Sequence, residues 1–135
     1  MKDVIICLIY LGVLMYASAT DFKKLVVYDR VHVIIMILGL INYHTVLING
    51  IGAVFLTLPF LFIAIRSNQL GGGDVKFIFA NGVFLGFKNS YLGIMAGLLC
   101  LILIFYLLKG IRWKGKTKMA LVPFLSLGYF IMYTM

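Results

Sequence analysis

The segment Gly71-Gly72-Gly73-Asp74-Val75-Lys76 places three glycines and an acid directly before an apolar run at residues 75–87. The chain contains only four acidic residues, and a second one, Asp21, follows an apolar run at residues 4–19. Because an ionised carboxylate costs free energy beside lipid, an acid at the edge of a membrane span is a candidate functional residue. Asp21 and Asp74 are therefore the first candidates for a site.

The composition indicates an integral membrane protein. Of the 135 residues, 64% are hydrophobic and 12% are charged, and the mean hydropathy is +1.12. One soluble core could not bury this much apolar surface. The sequence predicts an all-α membrane protein in which residues 1–135 form a single domain of six transmembrane helices. The predicted spans are residues 4–19, 31 to about 43, 50–65, 75–87, 91–108 and 119 to about 133.

The basic residues predict the orientation of the chain. Ten of the twelve Lys and Arg residues lie in loops that a six-span path places on one side of the membrane. Short cytoplasmic loops collect Lys and Arg, so we expect this side to be the cytoplasm and both termini to lie outside. The net charge of +8 then indicates topology and not nucleic acid binding. The ten residues are Lys23, Lys24, Arg30, Arg66, Lys76, Lys109, Arg112, Lys114, Lys116 and Lys118.

This topology predicts that the two acids face the same side. Asp21 follows the first span and Asp74 precedes the fourth, so the chain crosses the membrane and returns between them. Two neighbouring carboxylates can share one proton, with one as general base on a water molecule and the other as general acid toward a peptide group. This is the chemistry of an aspartic protease.

Local geometry predicts how the glycines, the two acids and Lys76 differ in their roles. The three glycines predict a turn with positive φ that an extended peptide can approach closely. At the start of a helix, the anion of Asp74 gains stabilisation from the helix dipole, whereas Asp21 ends its helix and feels the opposite sign. We therefore expect Asp21 to hold the shared proton at rest. Lys76, two positions after Asp74, points away from it on a regular helix, toward headgroups or another loop.

Three segments together resemble a known family. Thr20-Asp21-Phe22-Lys23-Lys24-Leu25-Val26-Val27-Tyr28-Asp29 and the glycine-rich segment resemble the two signature regions of type IV prepilin peptidases, which are GxGD intramembrane aspartyl proteases. Val122-Pro123-Phe124-Leu125-Ser126-Leu127-Gly128 is similar to the Pro-Phe-Leu-x-x-Gly segment of that family. The resemblance extends over the whole chain.

The resemblance implies a role for each matching residue. Asp21 and Asp74 match the catalytic pair. Asp29 lies where the family has Asn or Asp after a proline, and Tyr28 replaces that proline. The residues implied for the motif and for substrate approach are Gly71, Gly72, Gly73, Lys76 and Asp29.

The cysteines distinguish this chain from larger members of the family, which carry a cytoplasmic insert with paired Cys-x-x-Cys motifs and also N-methylate the mature pilin. Cys7 and Cys100 both lie within predicted spans and cannot form such a zinc site. His32 and His44 have no acidic or cysteine partner at ligand spacing. We therefore expect no methyltransferase insert, no metal and no cofactor.

The resemblance implies an aspartyl endopeptidase in the inner (cytoplasmic) membrane, with its active site toward the cytoplasm. Its partners would be membrane lipids and a pilin-like precursor that has a basic leader and an N-terminal hydrophobic helix. One alternative is a small ion or solute transporter that uses the two membrane-edge aspartates. Another is a scaffold subunit in which either acid is dispensable. Lipoprotein signal peptidase also uses two aspartates, but on the outer face, which the charge distribution opposes.

Cysteine accessibility tests the predicted topology. Single cysteines placed near Lys24, Asn68 and Lys116 should react only from the cytoplasmic side, because the basic loops stay there. Cysteines near His44 and Asn89 should react from outside. An exterior signal at Asn68 would remove the same-face argument and favour the lipoprotein-peptidase alternative.

Overall fold

The computed structural model of the protein describes residues 2–24, 27–41, 46–67, 71–108 and 121–135. These residues form an all-α fold, and each helix overlaps one of the predicted spans. The basic residues from Lys109 to Lys118, together with His44 and Asn68, lie outside the described residues. The helices are α1 (Lys2–Lys24), α2 (Asp29–Leu40), α3 (Val46–Ser67), α4 (Gly72–Leu85), α5 (Phe87–Leu108) and α6 (Val122–Thr134).

Three of these helices are long and apolar enough to cross a membrane, namely α1, α3 and α5. Each has 22 or 23 residues, and a typical bilayer core needs about 20. The helices α2, α4 and α6 have 12 to 14 residues, so length alone does not identify them as spans. The membrane character of the protein is confirmed, whereas the six-span path and the outside position of the termini stay predictions.

The long helices turn their apolar side chains outward. Along α3, the side chains of Leu47, Ile48, Phe55 and Phe62 are all exposed, with Leu47 at 82% of its full exposure. In water this surface would be unfavourable, since soluble monomers rarely expose large contiguous apolar patches. In a bilayer the same surface meets acyl chains at little cost.

The short helix α4 lies at the centre of the bundle. It contacts α2, α3, α5 and α6, and seven of its 14 residues are buried. It ends at Gly86, whose φ of 84° lies in the left-handed region that glycine adopts without steric cost. This one residue reverses the chain from α4 into α5. The centre of the bundle is therefore a helix that begins with the glycine-rich segment.

Close helix contacts depend on small residues at the α5–α6 interface. A Cβ atom added at Gly128 would overlap the carbonyl oxygen of Gly93, and one added at Gly97 would lie 2.7 Å from the carbonyl oxygen of Phe124. Small residues let membrane helices approach until their backbones touch. This contact fixes α6 against α5, and thereby fixes where α6 begins.

Alanine substitution tests this interface. Gly128→Ala should lower the free energy of unfolding by about 1–3 kcal/mol, because overpacking forces the two backbones apart. Gly12→Ala is the matched control on α1, since no described atom lies within 4 Å of its added Cβ; it should be neutral or slightly stabilising. Thermal unfolding in detergent micelles measures both. Equal unfolding temperatures for the two variants would show that the α5–α6 contact is not needed for stability.

Candidate active site

Asp21 lies in the last turn of α1 and is almost fully buried, with 5% of its surface exposed. Its Oδ2 atom accepts a hydrogen bond of 3.0 Å from the backbone N–H of Val122. Val122 is the first residue of α6, where the N–H groups have no partner within the helix. The positive end of the α6 dipole therefore faces the Asp21 carboxylate and stabilises its ionised form.

A second contact joins α1 and α6 close to Asp21. The hydroxyl oxygens of Ser18 and Ser126 lie 2.7 Å apart. Ser18 precedes Asp21 by one turn of α1, and Ser126 follows Val122 by one turn of α6. Both helices are thus held at two successive turns, which fixes the direction of the Asp21 side chain.

Asp74 is the third residue of α4, after the N-cap Gly71 and the helical residues Gly72 and Gly73. At this position a carboxylate can reach back to the backbone N–H of the N-cap residue. Asp74 forms this interaction with Gly71. The start of α4 therefore positions the second carboxylate with its own backbone.

The structure brings the two acids together, although they are far apart in the sequence. Burial, and in second place the negative charge of Asp21, raise the pKa of Asp74 to about 6, while the N–H of Gly71 opposes this shift. The charge of Asp21 therefore affects the ionisation of Asp74. Two coupled carboxylates of this kind titrate as a pair.

The position of α6 changes the expected location of the shared proton. The sequence led us to expect that Asp21 holds it, because Asp21 lies at the carboxyl end of its own helix. That argument omitted the N–H of Val122, which supports the ionised Asp21 carboxylate from a different helix. Burial raises the pKa of Asp21 as well, but the Val122 N–H opposes that shift. Because the pKa of Asp74 is raised to about 6, the structure favours Asp74 as the residue that holds the proton.

The glycine-rich segment does not have the predicted positive φ. Gly71 has φ −70° and ψ 144°, and among the described residues only Gly86 has a positive φ. Gly72 and Gly73 continue directly into α4, so the prediction of a left-handed turn was wrong. A Cβ added at Gly73 would make ordinary contact with Val27 at 3.5 Å, and no described atom lies within 4 Å of one added at Gly72. The segment is an open helix start, which leaves room above Gly72.

Lys76 points away from the two acids, as the helix geometry predicted. Its Nζ atom lies 3.0 Å from the Oδ1 atom of Asp29, in an ion pair whose side chains are both exposed. The pair links the second turn of α4 to the start of α2. Asp29 therefore lies beside the candidate site without joining Asp21 and Asp74.

Tyr28 occupies the position of the family proline and adopts a proline-like backbone. Its φ of −71° falls within the range that a proline ring imposes. Tyr28 is the N-cap of α2 and directly precedes Asp29. At Tyr28 itself, the backbone thus keeps the geometry that a proline would give.

Nothing in the sequence indicated the contact between Val122 and Asp21. A backbone N–H has no side-chain signature, and Pro123 indicated only that a helix begins nearby. The similarity of residues 122–128 to a family segment did mark the region, but it assigned no contact. Only the packing of α6 against α1 shows which N–H meets Asp21.

Comparison with known proteins gives one positive result. A family model described as the type IV leader peptidase family matches residues 8–111. That range includes Asp21, Asp74 and the glycine-rich segment, and it ends before the segment at residues 122–128. No curated protein and no solved structure matches the chain. The match confirms the resemblance that the signature residues suggested.

The raised pKa of Asp74 predicts how stability depends on pH. The carboxyl ionises near pH 6 in the folded protein and near pH 3.9 in the unfolded chain. The ionised form is therefore disfavoured by folding, and stability falls as the pH rises from about 4 through about 6. Asp74→Asn should unfold at a higher temperature than the original protein at pH 7, and this difference should vanish below about pH 4.

Asp29→Asn is the matched control with the opposite sign. The hydrogen bond and the charge of Lys76 lower the pKa of Asp29, so this carboxylate stabilises the fold above about pH 4. Its removal should slightly lower the unfolding temperature at pH 7 and have no effect in acid. A pH-independent effect of Asp74→Asn would contradict the raised pKa of Asp74.

Proposed function

Since this chain belongs to the type IV leader peptidase family, we propose that it is an aspartyl endopeptidase that cuts the short leader from pilin-like precursors at the cytoplasmic face of the membrane. The catalytic pair would be Asp21 and Asp74. The proposal includes peptidase activity alone, because the sequence has no paired Cys-x-x-Cys motif that could build the zinc site of bifunctional relatives.

One observation carries this proposal. The carboxylates of Asp21, at the end of α1, and Asp74, at the start of α4, lie within electrostatic reach of each other. A structural role would not require two acids to be coupled at the edge of apolar helices, where each unpaired charge is expensive. Aspartic protease chemistry does require it, because one acid must be ionised while the other holds a proton.

The contacts of the two acids support one division of the reaction between them. The ionised Asp21, supported by the Val122 N–H, would take a proton from a water molecule as that water attacks the peptide carbonyl carbon. Asp74 would give its proton to the carbonyl oxygen. Collapse of the tetrahedral intermediate would then break the C–N bond as Asp21 gives its proton to the leaving nitrogen, and Asp74 would take a proton back from a hydroxyl of the intermediate. Both acids end the cycle with one shared proton, as they began it.

Substrate approach fits the open start of α4. The peptide at the cut must be extended, and its N–H and C=O groups then need partners other than those of a helix. The absence of side chains at residues 71–73 leaves backbone groups accessible beside Asp74, and nothing described covers Gly72. The hydrophobic helix of the precursor would lie along the exposed apolar faces of the bundle.

The orientation rests on charge. Lys23 and Lys24 follow Asp21 within the same last turn of α1, and Arg66 lies in the last turn of α3. Basic residues near the ends of spans favour the cytoplasmic side. This supports an active site that opens toward the cytoplasm, where a basic leader is exposed before export.

The transporter alternative gains no support from the family match, which names a peptidase. It also requires that both acids couple to ion movement instead of proteolysis. A scaffold subunit would tolerate loss of either acid. Substitution of the acids therefore separates the three functions.

Co-expression with a pilin-like precursor tests the catalytic pair. Asp21→Asn and Asp74→Asn should each abolish leader removal, since an amide neither takes nor gives the required proton, while insertion into the membrane stays intact. Asp3→Asn should leave cleavage unchanged, and Asp29→Asn should reduce it less than the other two. Immunoblots of precursor and mature forms, with the amount of enzyme in the membrane fraction, measure these outcomes. Near-normal processing by either active-site variant would refute the assignment.

A further inference from the structure

A cavity of about 410 Å³ lies between α2, α3 and α4, next to the candidate site. Its walls are largely apolar and include Val33 and Met36 from α2 and Val75 and Phe79 from α4. The volume falls in the range of pockets that take small ligands or single side chains. Val75 directly follows Asp74, so the cavity occupies the neighbouring face of the helix that carries this acid.

His32 lines this cavity and is buried without hydrogen bonds. Only 5% of its surface is exposed, and neither Nδ1 nor Nε2 has a hydrogen-bond partner among the described residues. Its ring packs edge-on against Phe77, with ring centroids 6.3 Å apart. An unsatisfied buried polar group costs free energy on the order of 1–3 kcal/mol, and such exceptions in folded proteins call for an explanation.

The hydrogen-bonding groups of a neutral imidazole limit the kinds of ligand that can occupy the cavity. One ring nitrogen donates a hydrogen bond and the other accepts one. A lipid acyl chain offers neither group, and a phosphate would find its nearest cation, Lys76, already paired with Asp29. An extended peptide offers an N–H and a C=O for each residue, together with a side chain that can enter an apolar space.

We infer that this cavity is a substrate subsite, in which an apolar side chain next to the cut lies between Met36 and Phe79 while His32 binds an adjacent peptide group. The inference rests on the proposed function. It makes His32 a positioning residue and the walls of the cavity a determinant of specificity. The exposed Asp29–Lys76 ion pair also lines the cavity, and Lys76 follows Asp74 by two residues.

A cleavage profile tests the walls of the cavity. The full-length enzyme in detergent micelles is given a series of precursors in which each residue flanking the cut is replaced in turn by Ala, Leu, Phe or Trp. Met36→Trp fills the cavity and should shift the preference at one flanking position toward Ala by ~10-fold or more. Met95→Trp is the matched control, because Met95 is an exposed residue of α5 outside the cavity, and its profile should equal that of the original enzyme.

Substitution of His32 tests the hydrogen bonds. His32→Phe should raise KM by ~5-fold, the loss expected for about one buried hydrogen bond. It should leave kcat largely unchanged and should not lower the unfolding temperature, because it removes a buried polar group that has no partner among the described residues. His32→Gln should recover part of this loss, because an amide also donates and accepts. A structural role would instead lower the unfolding temperature and would not be relieved by Gln.

The outcomes separate this inference from the proposed function. If the original enzyme cuts no precursor, or if Asp21→Asn still cuts, the proposed function fails. If cleavage depends on both acids but Met36→Trp and His32→Phe leave the profile and KM unchanged, the subsite is overturned. Phospholipid that co-purifies with the original protein and is lost from Met36→Trp, with an unchanged cleavage profile, would show that lipid occupies the cavity and would also overturn it.

Discussion

The hydrogen bond from the Val122 N–H to the Asp21 carboxylate is the contact on which the candidate site depends. It joins the last turn of α1 to the first turn of α6 at 3.0 Å, and it brings the positive end of one helix to the negative side chain of another. A buried carboxylate at a helix C-terminus would otherwise face an unfavourable dipole. With α6 in this position, Asp21 can remain ionised beside a second acid.

The rest of the bundle fixes the helix ends that meet at this contact. The backbones of α5 and α6 touch at Gly93, Gly97 and Gly128. These contacts fix the position of α6 along α5, and with it the position of Val122 at the start of α6. On the other side, α4 lies among four neighbours and presents Asp74 from its first turn. Both acids thus lie at helix ends whose positions depend on packing several turns away. The contacts responsible are those of the glycines between α5 and α6 and the buried hydrogen bond between Tyr10 of α1 and Asn81 of α4.

Particular residues show why part of the candidate site could be predicted from the sequence and the rest could not. The acids Asp21 and Asp74 were identifiable because charge is rare in this chain and costly beside lipid. The three glycines suggested a left-handed turn, but glycine permits positive φ without requiring it, and here Gly71 is extended and the next two residues are helical. No sequence pattern indicated the role inferred for His32. That role depends on both ring nitrogens being buried without a partner among the described residues, which results from the packing of three helices.

The sequence by itself determined the membrane character, the helical class, the approximate positions of the six helices and the identity of the two acids, because composition and local order carry these properties. The tertiary structure decided which acid is supported in its ionised form, which face of α4 borders a cavity and which backbone N–H contacts Asp21. These depend on contacts between residues about 100 positions apart, such as Asp21 and Val122. Such contacts contribute free energy only when the helices pack against each other. No local sequence pattern therefore predicts them.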